Sequence, residues 1–238
     1  MPDLIETISE TGSTNADLLA RLRGGEPIVE GHWLVTDRQT DGRGRQGREW
    51  FGGDGNFMGS TVVNHAAGDP PVQSLALVAG MAAREACQPH IAAGAELLLK
   101  WPNDLLLDGA KLAGTLLEGE GGAVVLGIGV NLAAAPEIPG LRTAALGNVP
   151  RDRFAESLAA GFATELQRWR SYGLAPLLSR WLSAAHPIGT PLAVHDPAGN
   201  RLSGIFDGLA EDGALQLRLA DGSLRTIHAG DVTLDSGE

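Results

Sequence analysis

The sequence predicts a mixed α/β chain: a largely antiparallel sheet with helices, followed by a small five-stranded β-barrel. Three observations predict it. Short apolar runs separated by turn-forming residues fill the centre of the chain, two long segments carry apolar residues at helical spacing, and from Ile188 onward the chain breaks into short alternating strands.

Taken in order, the first element reads as extended. Ser13-Thr14-Asn15 then leads into ADLLARLR, with Thr14 and Asp17 at capping-box spacing and Gly24-Gly25 as the stop. GHWLVTD and FMGSTVVN read as strands. Between them TDGRGRQGREWFGGDGN has too little apolar periodicity for either element. Leu75, Val78, Ala79, Ala82 and Ala86 fall at helical spacing, which predicts a helix over 73–91. ELLLKW, DLLL, KLAGTLLEG and AVVLGIGVNL are strands joined by tight turns at Pro-Asn-Asp, Asp-Gly and Gly-Glu-Gly-Gly. A Pro/Gly-rich loop covers 133–150. A helix from Asp152 to Tyr172 carries Phe154, Leu158, Phe162, Leu166 and Trp169, and a shorter one covers PLLSRWLSAAH. TPLAVHD, LSGIFDGL, ALQLRLA and LRTIHAG, punctuated by Pro-Ala-Gly, Glu-Asp-Gly and Ala-Asp-Gly, make the expected barrel. The domain boundary is expected at 186/187, giving units 1–186 and 187–238.

Composition narrows the function. The 238 residues are 43% apolar and 20% charged, enough for a sizeable core. No stretch is long and apolar enough to span a bilayer, and MPDLIETISE lacks the basic-then-apolar form of a secretory signal, so a cytoplasmic protein is expected. Cys87, the single cysteine, excludes an internal disulfide and falls in an Ala-rich helical stretch as a buried thiol. A net charge of −11 argues against nucleic-acid binding. Against that background, Arg38, Arg43, Arg45 and Arg48 stand with only Asp41 among them, a cationic patch suited to a small phosphorylated ligand.

Gly42-Arg43-Gly44-Arg45-Gln46-Gly47 fits the G-x-G-x-x-G dinucleotide fingerprint, but that reading needs a helix starting inside it. Arg-Glu-Trp-Phe-Gly-Gly-Asp-Gly-Asn is a poor helix, so a nicotinamide-dependent dehydrogenase is rejected. Glycines instead let backbone N–H groups approach an anion while the arginines supply forked donors. Lys100-Trp101-Pro102-Asn103-Asp104 is a hairpin turn, and Lys111 opens the strand after it; singly, each lysine reads as a solvated surface group.

The combination is more specific. Ser13-Thr14-Asn15, Gln39 with GRGRQGREW, KWPNDLLLDGAKLAG and GIGVNL, in this order over roughly residues 5–135, resemble the catalytic domain of biotin–protein ligases. The resemblance implies a sheet with helices on one side, as in class II aminoacyl-tRNA synthetases, and a C-terminal SH3-like barrel. It implies activation of biotin by ATP, with Mg²⁺, to biotinyl-5′-AMP, and transfer to a lysine of a biotin carboxyl carrier domain of acetyl-CoA carboxylase or a related carboxylase. It places Ser13, Thr14 and Asn15 at the biotin ring, with Gln39, Arg43, Gly44, Arg45 and Lys111 also at biotin or the adenylate. Arg45, Arg48, Trp50, Asn103 and Asn131 fall at the nucleotide. Arg43, Arg45, Lys111 and Asp104 carry the chemistry, Asp104 being an available Mg²⁺ ligand and a group that positions or deprotonates the incoming lysine.

Two features depart from the family pattern: Asp41 inside the phosphate-binding loop, and Phe57-Met58-Gly59 in a strand that is usually more aliphatic. Twelve residues before Ser13 are too few for a DNA-binding domain, so no repressor role is expected. The alternatives are a lipoate/octanoate ligase or transferase and a degenerate, non-catalytic biotin sensor. Either a monomer or a homodimer fits.

Overall fold

The computed structural model describes residues 5–147, 149–195 and 200–234. The chain runs β1 (Ile5–Thr11), α1 (Thr14–Arg23), β2 (Trp33–Gln39), β3 (Phe57–Asn64), α2 (Leu75–Cys87), β4 (Leu97–Lys100), β5 (Asp104–Leu107), β6 (Ala110–Glu120), β7 (Ala123–Val130), α3 (Arg151–Tyr172) and α4 (Ala175–Ser183). Five strands follow: β8 (Pro191–His195), β9 (Arg201–Leu209), β10 (Leu215–Arg218), β11 (Leu224–Ile227) and β12 (Asp231–Leu234).

The first seven strands form one sheet in the order β1-β2-β3-β7-β6-β5-β4. Only β1 and β2 pair in parallel; the other neighbours are antiparallel, with tight turns joining β4 to β5, β5 to β6 and β6 to β7. Strand alternation sorts this sheet into two faces. Trp33, Val35, Phe57, Val63, Leu126 and Ile128 point to one face, where α2 and α3 cover them in the main core. Trp33 packs against Phe57 and edge-on to Phe162 of α3, with centroids 6.2 and 5.7 Å apart. The residues between them, Leu34, Val62 and Val125, meet Leu18 and Leu19 of α1 on the opposite face. Helices therefore lie on both faces, not on one as the resemblance implies. Because α1 is only ten residues long, it covers part of its face and leaves the rest open.

Some boundaries move. Ser13, not Thr14, caps α1, its hydroxyl accepting from the Ala16 N–H at 3.5 Å. Asp17 instead accepts from the Thr11 hydroxyl at 2.5 Å, so no capping box forms. The expected helix over 73–91 is regular only for Leu75–Cys87 and has a 3₁₀ turn at either end. Cys87 is buried, and burial pushes its thiol up to about 12. At the end of the helical layer, fully buried Glu165 of α3 accepts from Arg168 at 2.6 Å and from Arg180 of α4 at 2.6 and 2.8 Å.

The expected C-terminal barrel is not seen. The last five strands form an open antiparallel sheet in the order β11-β10-β9-β8-β12, and its edge strands β11 and β12 do not pair. Both are four residues long, leaving few ladder positions to close a ring. The segment between them turns toward the arginine loop, where Gly230 gives its carbonyl to Arg45 rather than to a strand. The Pro-Ala-Gly turn expected at 197–199 lies outside the described residues. Leu192, Val194, Phe206, Leu215, Leu217 and Val232 of this sheet join the same core as α2 and the large sheet.

Candidate active site

The uncovered part of the α1 face holds a cavity of about 580 Å³, within the range of small-molecule sites. Glycines make its floor. A Cβ on Gly127 would collide with the Asn15 side chain, and one on Gly129 with the Trp50 indole. Trp50 thus lies flat on the sheet over Gly129 and Gly114, and Lys111 Nζ stands 5.7 Å from its ring centre. The GIGVN motif is legible here as a sheet surface without side chains, on which two others rest.

Every residue that the resemblance places at biotin, the nucleotide or the chemistry lines this cavity: Ser13, Thr14, Asn15, Gln39, Arg43, Gly44, Arg45, Arg48, Trp50, Asn103, Asp104, Lys111 and Asn131. Arg38 of the expected cationic patch does not; it is exposed and pairs with Glu10 at 3.2 Å. Their elements explain the convergence. Residues 13–15 start α1, Gln39 ends β2, 103 and 104 turn β4 into β5, and Lys111 opens β6 beside a bulge that shifts its register against β5.

One end is a hydrogen-bonding cluster. Gln39 Oε1 accepts from the Thr14 N–H at 2.9 Å and lies 3.1 Å from the Thr14 hydroxyl. Thr14 Oγ1 meets Ser60 Oγ at 2.7 Å, Ser60 donates to Asn15 Oδ1 at 2.6 Å, and Asn15 Nδ2 donates to Glu118 at 2.8 Å.

The other end is cationic. Asp104 is 2.7 Å from Lys111 Nζ and 3.1 Å from Lys100 Nζ. Burial alone would raise its pKa, but the two ammonium groups outweigh burial and hold the carboxyl below its usual range. Arg45 donates to Asn103 Oδ1 at 3.1 Å and to the Gly230 carbonyl at 3.2 Å. Burial pushes the Arg45 guanidinium below its ordinary value against the pull of Asp104, and neighbouring Arg48 adds to the lowering; it stays charged. The Trp50 Nε1 and Asn131 Oδ1 atoms are buried at this cavity without a protein partner.

The arginine loop forms a small closed turn. Gly44 N–H donates to the Arg48 carbonyl at 2.7 Å, and Gln46 adopts the left-handed region at φ 58°. No long helix follows, as the rejection of the dinucleotide reading requires.

Comparison with known proteins agrees with this geometry. Residues 13–133 match the model of the "Biotin/lipoate A/B protein ligase family", and residues 192–235 match "Biotin protein ligase C terminal domain". The biotin–[acetyl-CoA-carboxylase] ligase of Paracoccus denitrificans is 36% identical, covering 89% of this chain and 92% of its own. The chain belongs to the biotin–protein ligase family. The corresponding ligase of Mycobacterium tuberculosis is also 36% identical, over 96% of this chain and 88% of its own length. Among solved structures, the biotin protein ligase from Aquifex aeolicus in complex with biotin and ATP superposes with a TM-score of 0.82 at 25% identity, covering 97% of both chains.

Three site residues of this ligase escape sequence reasoning. Glu118 and Ser60 sit inside strands that read as apolar and are placed by register. Asp231 comes from β12, far away in sequence, and pairs with Arg48 and, at 3.7 Å, with Arg45. The one available signal was Glu118, a carboxylate ending an otherwise apolar run.

The departures also find places. Asp41 pairs with Arg43 at 2.7 Å, an exposed pair whose hydrogen bond raises the arginine's pKa. Phe57 goes to the core, while Met58 and Ser60 face the cavity.

A resident Mg²⁺ does not fit the donor set. The one carboxylate expected to hold it, Asp104, is committed to two lysines, and no group of three or more His, Cys, Asp or Glu able to hold a metal occurs among the described residues. No described helix is long and apolar enough to cross a membrane.

Proposed function

We propose that this one cavity carries both half-reactions of the ligase. The carboxylate of biotin attacks the α-phosphorus of ATP and expels pyrophosphate, leaving biotinyl-5′-AMP. The ε-amine of a carrier lysine then attacks the acyl carbon, AMP leaves, and the amine loses its proton. The single observation that carries this reading is the polarity of the cavity, with neutral hydrogen-bonding groups from α1, β2 and β3 at one end and Arg45, Lys100 and Lys111 at the other.

In this reading the ring of biotin occupies the end built by Ser13, Thr14, Asn15 and Gln39, and its carboxylate points toward Lys111. Two anions must meet before any bond forms. Fixed cations lower that repulsion and stabilise charge gathering on phosphorus. Arg43, Arg45, Arg48 and the backbone at Gly44 take the phosphates, while the orphaned atoms of Trp50 and Asn131, with Asn103, face the nucleoside. Mg²⁺ enters as the counter-ion of ATP, with the substrate.

Asp104 is assigned to positioning. A carboxylate already below its usual range and held by two ammonium groups is a weak base, so it orients Lys111 rather than deprotonating the incoming lysine. Residues 1–186 form the catalytic unit of this reading and 187–238 a unit that reaches it through Gly230 and Asp231; the carrier is a biotin carboxyl carrier domain of acetyl-CoA carboxylase or a related carboxylase.

The test is ATP–pyrophosphate exchange with biotin or lipoate added separately. Exchange that requires biotin and ignores lipoate is expected. Exchange with lipoate alone would move the chain to the lipoate branch of its family, and none with either would make it a non-catalytic sensor.

A further inference from the structure

The hydrogen-bonding end of the cavity is one proton short, and one residue makes it so. Four oxygens stand in a row: Asn15 Oδ1, Ser60 Oγ, Thr14 Oγ1 and Gln39 Oε1, joined by contacts of 2.6, 2.7 and 3.1 Å. Three contacts need three protons, but the two hydroxyls supply two. Gln39 Oε1 is fixed as an acceptor by the Thr14 backbone N–H. At the far end Glu118 accepts from Asn15 Nδ2, which turns Asn15 Oδ1 toward Ser60. Ser60 must then donate to Asn15, and the single proton of Thr14 is claimed by both Ser60 Oγ and Gln39 Oε1.

We propose that Glu118 is a specificity-determining positioning residue: by fixing the Asn15 amide it keeps this row acceptor-rich, selecting a ligand head that brings N–H donors. The inference rests on the reading that biotin's ring binds at this end. A cyclic urea carries two N–H groups and one carbonyl; a dithiolane ring carries no donor. Were Glu118 absent, the Asn15 amide could rotate half a turn. Its NH₂ would donate to Ser60, Ser60 to Thr14 and Thr14 to Gln39, so every contact would have its own proton and the row would no longer call for a donor. An acceptor-only carboxylate forbids that arrangement, because it would face the Asn15 oxygen without a proton between them.

The test compares the whole chain with Glu118→Ala and with the exchange Asn15→Asp/Glu118→Gln, in which carboxylate and amide trade places and Ser60 again faces an obligate acceptor. Biotin binding is measured by calorimetry, exchange kinetics at saturating biotin, and melting temperature alongside. Glu118→Ala is expected to raise the biotin Kd and KM by about tenfold or more, with kcat changed by less than about threefold. The exchange is expected to recover a large part of that loss. Glu118→Ala that binds biotin like the unmodified chain overturns the inference and leaves the ligase reading intact. Weakened binding that the exchange fails to recover overturns it too, by reducing Glu118 to a structural strut. An unmodified chain that binds no biotin overturns both this inference and the reading beneath it.

Discussion

At Lys111 a strand residue becomes an electrostatic one. Its ammonium lies between the largely buried Asp104 carboxylate and the face of Trp50 and opens on the cavity, so it costs little reorganisation when an anion arrives. Lys111→Ala is expected to lower biotin-dependent exchange by about 100-fold or more while the melting temperature moves little, in line with the loss of one preorganised donor. Asp104 gives a pH prediction. Its folded pKa is depressed, so its contribution to stability is fully present above the unfolded value of about 3.9 and is lost as pH falls through the lower folded value. Melting curves of the chain and of Asp104→Asn should therefore differ by a constant amount at neutral pH and converge in acid. Convergence at higher pH would contradict the depressed value. Asp41→Asn frees Arg43 from an exposed pair that solvent screens, so kinetic constants for ATP should change by no more than about fivefold. At this scale the sequence was informative wherever chemistry needs a recognisable cluster: arginines among glycines, or lysines flanking a turn. It was silent on Ser60 and Asp231, because a single polar residue in a strand or near a terminus carries no sign of what the fold brings opposite it.

Elements set the shape of the site more than any one side chain. α1 is short, β6 carries a bulge, and Gly114, Gly127 and Gly129 leave the sheet bare on one face. A methyl group at Gly129 would displace the Trp50 indole, and at Gly127 the Asn15 amide. Gly129→Ala should reduce exchange strongly while far-UV circular dichroism stays unchanged; an active variant would show that Trp50 has no fixed place on the floor. Alternation of apolar residues in β2, β3 and β7 made the strands readable, and the 3.6-residue spacing of Phe154, Leu158, Phe162, Leu166 and Trp169 made α3 readable. The faces were not readable in the same way. Both sides of these strands are apolar where α1 and α2 press on them, so periodicity did not say which helix covers which side. Ser13 took the cap in place of Thr14 because the β1 end and Gln39 claim the neighbouring groups.

Across the whole molecule, the two sheets share one core, and Trp101 of the β4–β5 turn donates to the Gly213 carbonyl at 3.0 Å. That continuity predicts a single unfolding transition, with tryptophan fluorescence and far-UV signal coincident in urea. Phe206→Ala in the second sheet should destabilise the entire chain by about 3–5 kcal/mol, and two separated transitions would contradict the shared core. Short alternating strands in a row announced a compact five-stranded unit, but whether such a unit closes depends on edge pairing between residues far apart in the ladder, which no local pattern records. Here β11 and β12 stay apart, and the segment joining them meets the arginine loop.

The most direct measurement follows biotinyl transfer itself: intact-protein mass of a purified biotin carboxyl carrier domain after incubation with the chain, biotin and Mg·ATP. A gain of one biotinyl group on one lysine is expected, dependent on ATP and slowed by about 100-fold or more in Lys111→Ala. No gain on a folded carrier, with the chain itself folded and biotin bound, would contradict the assignment of this cavity to both half-reactions.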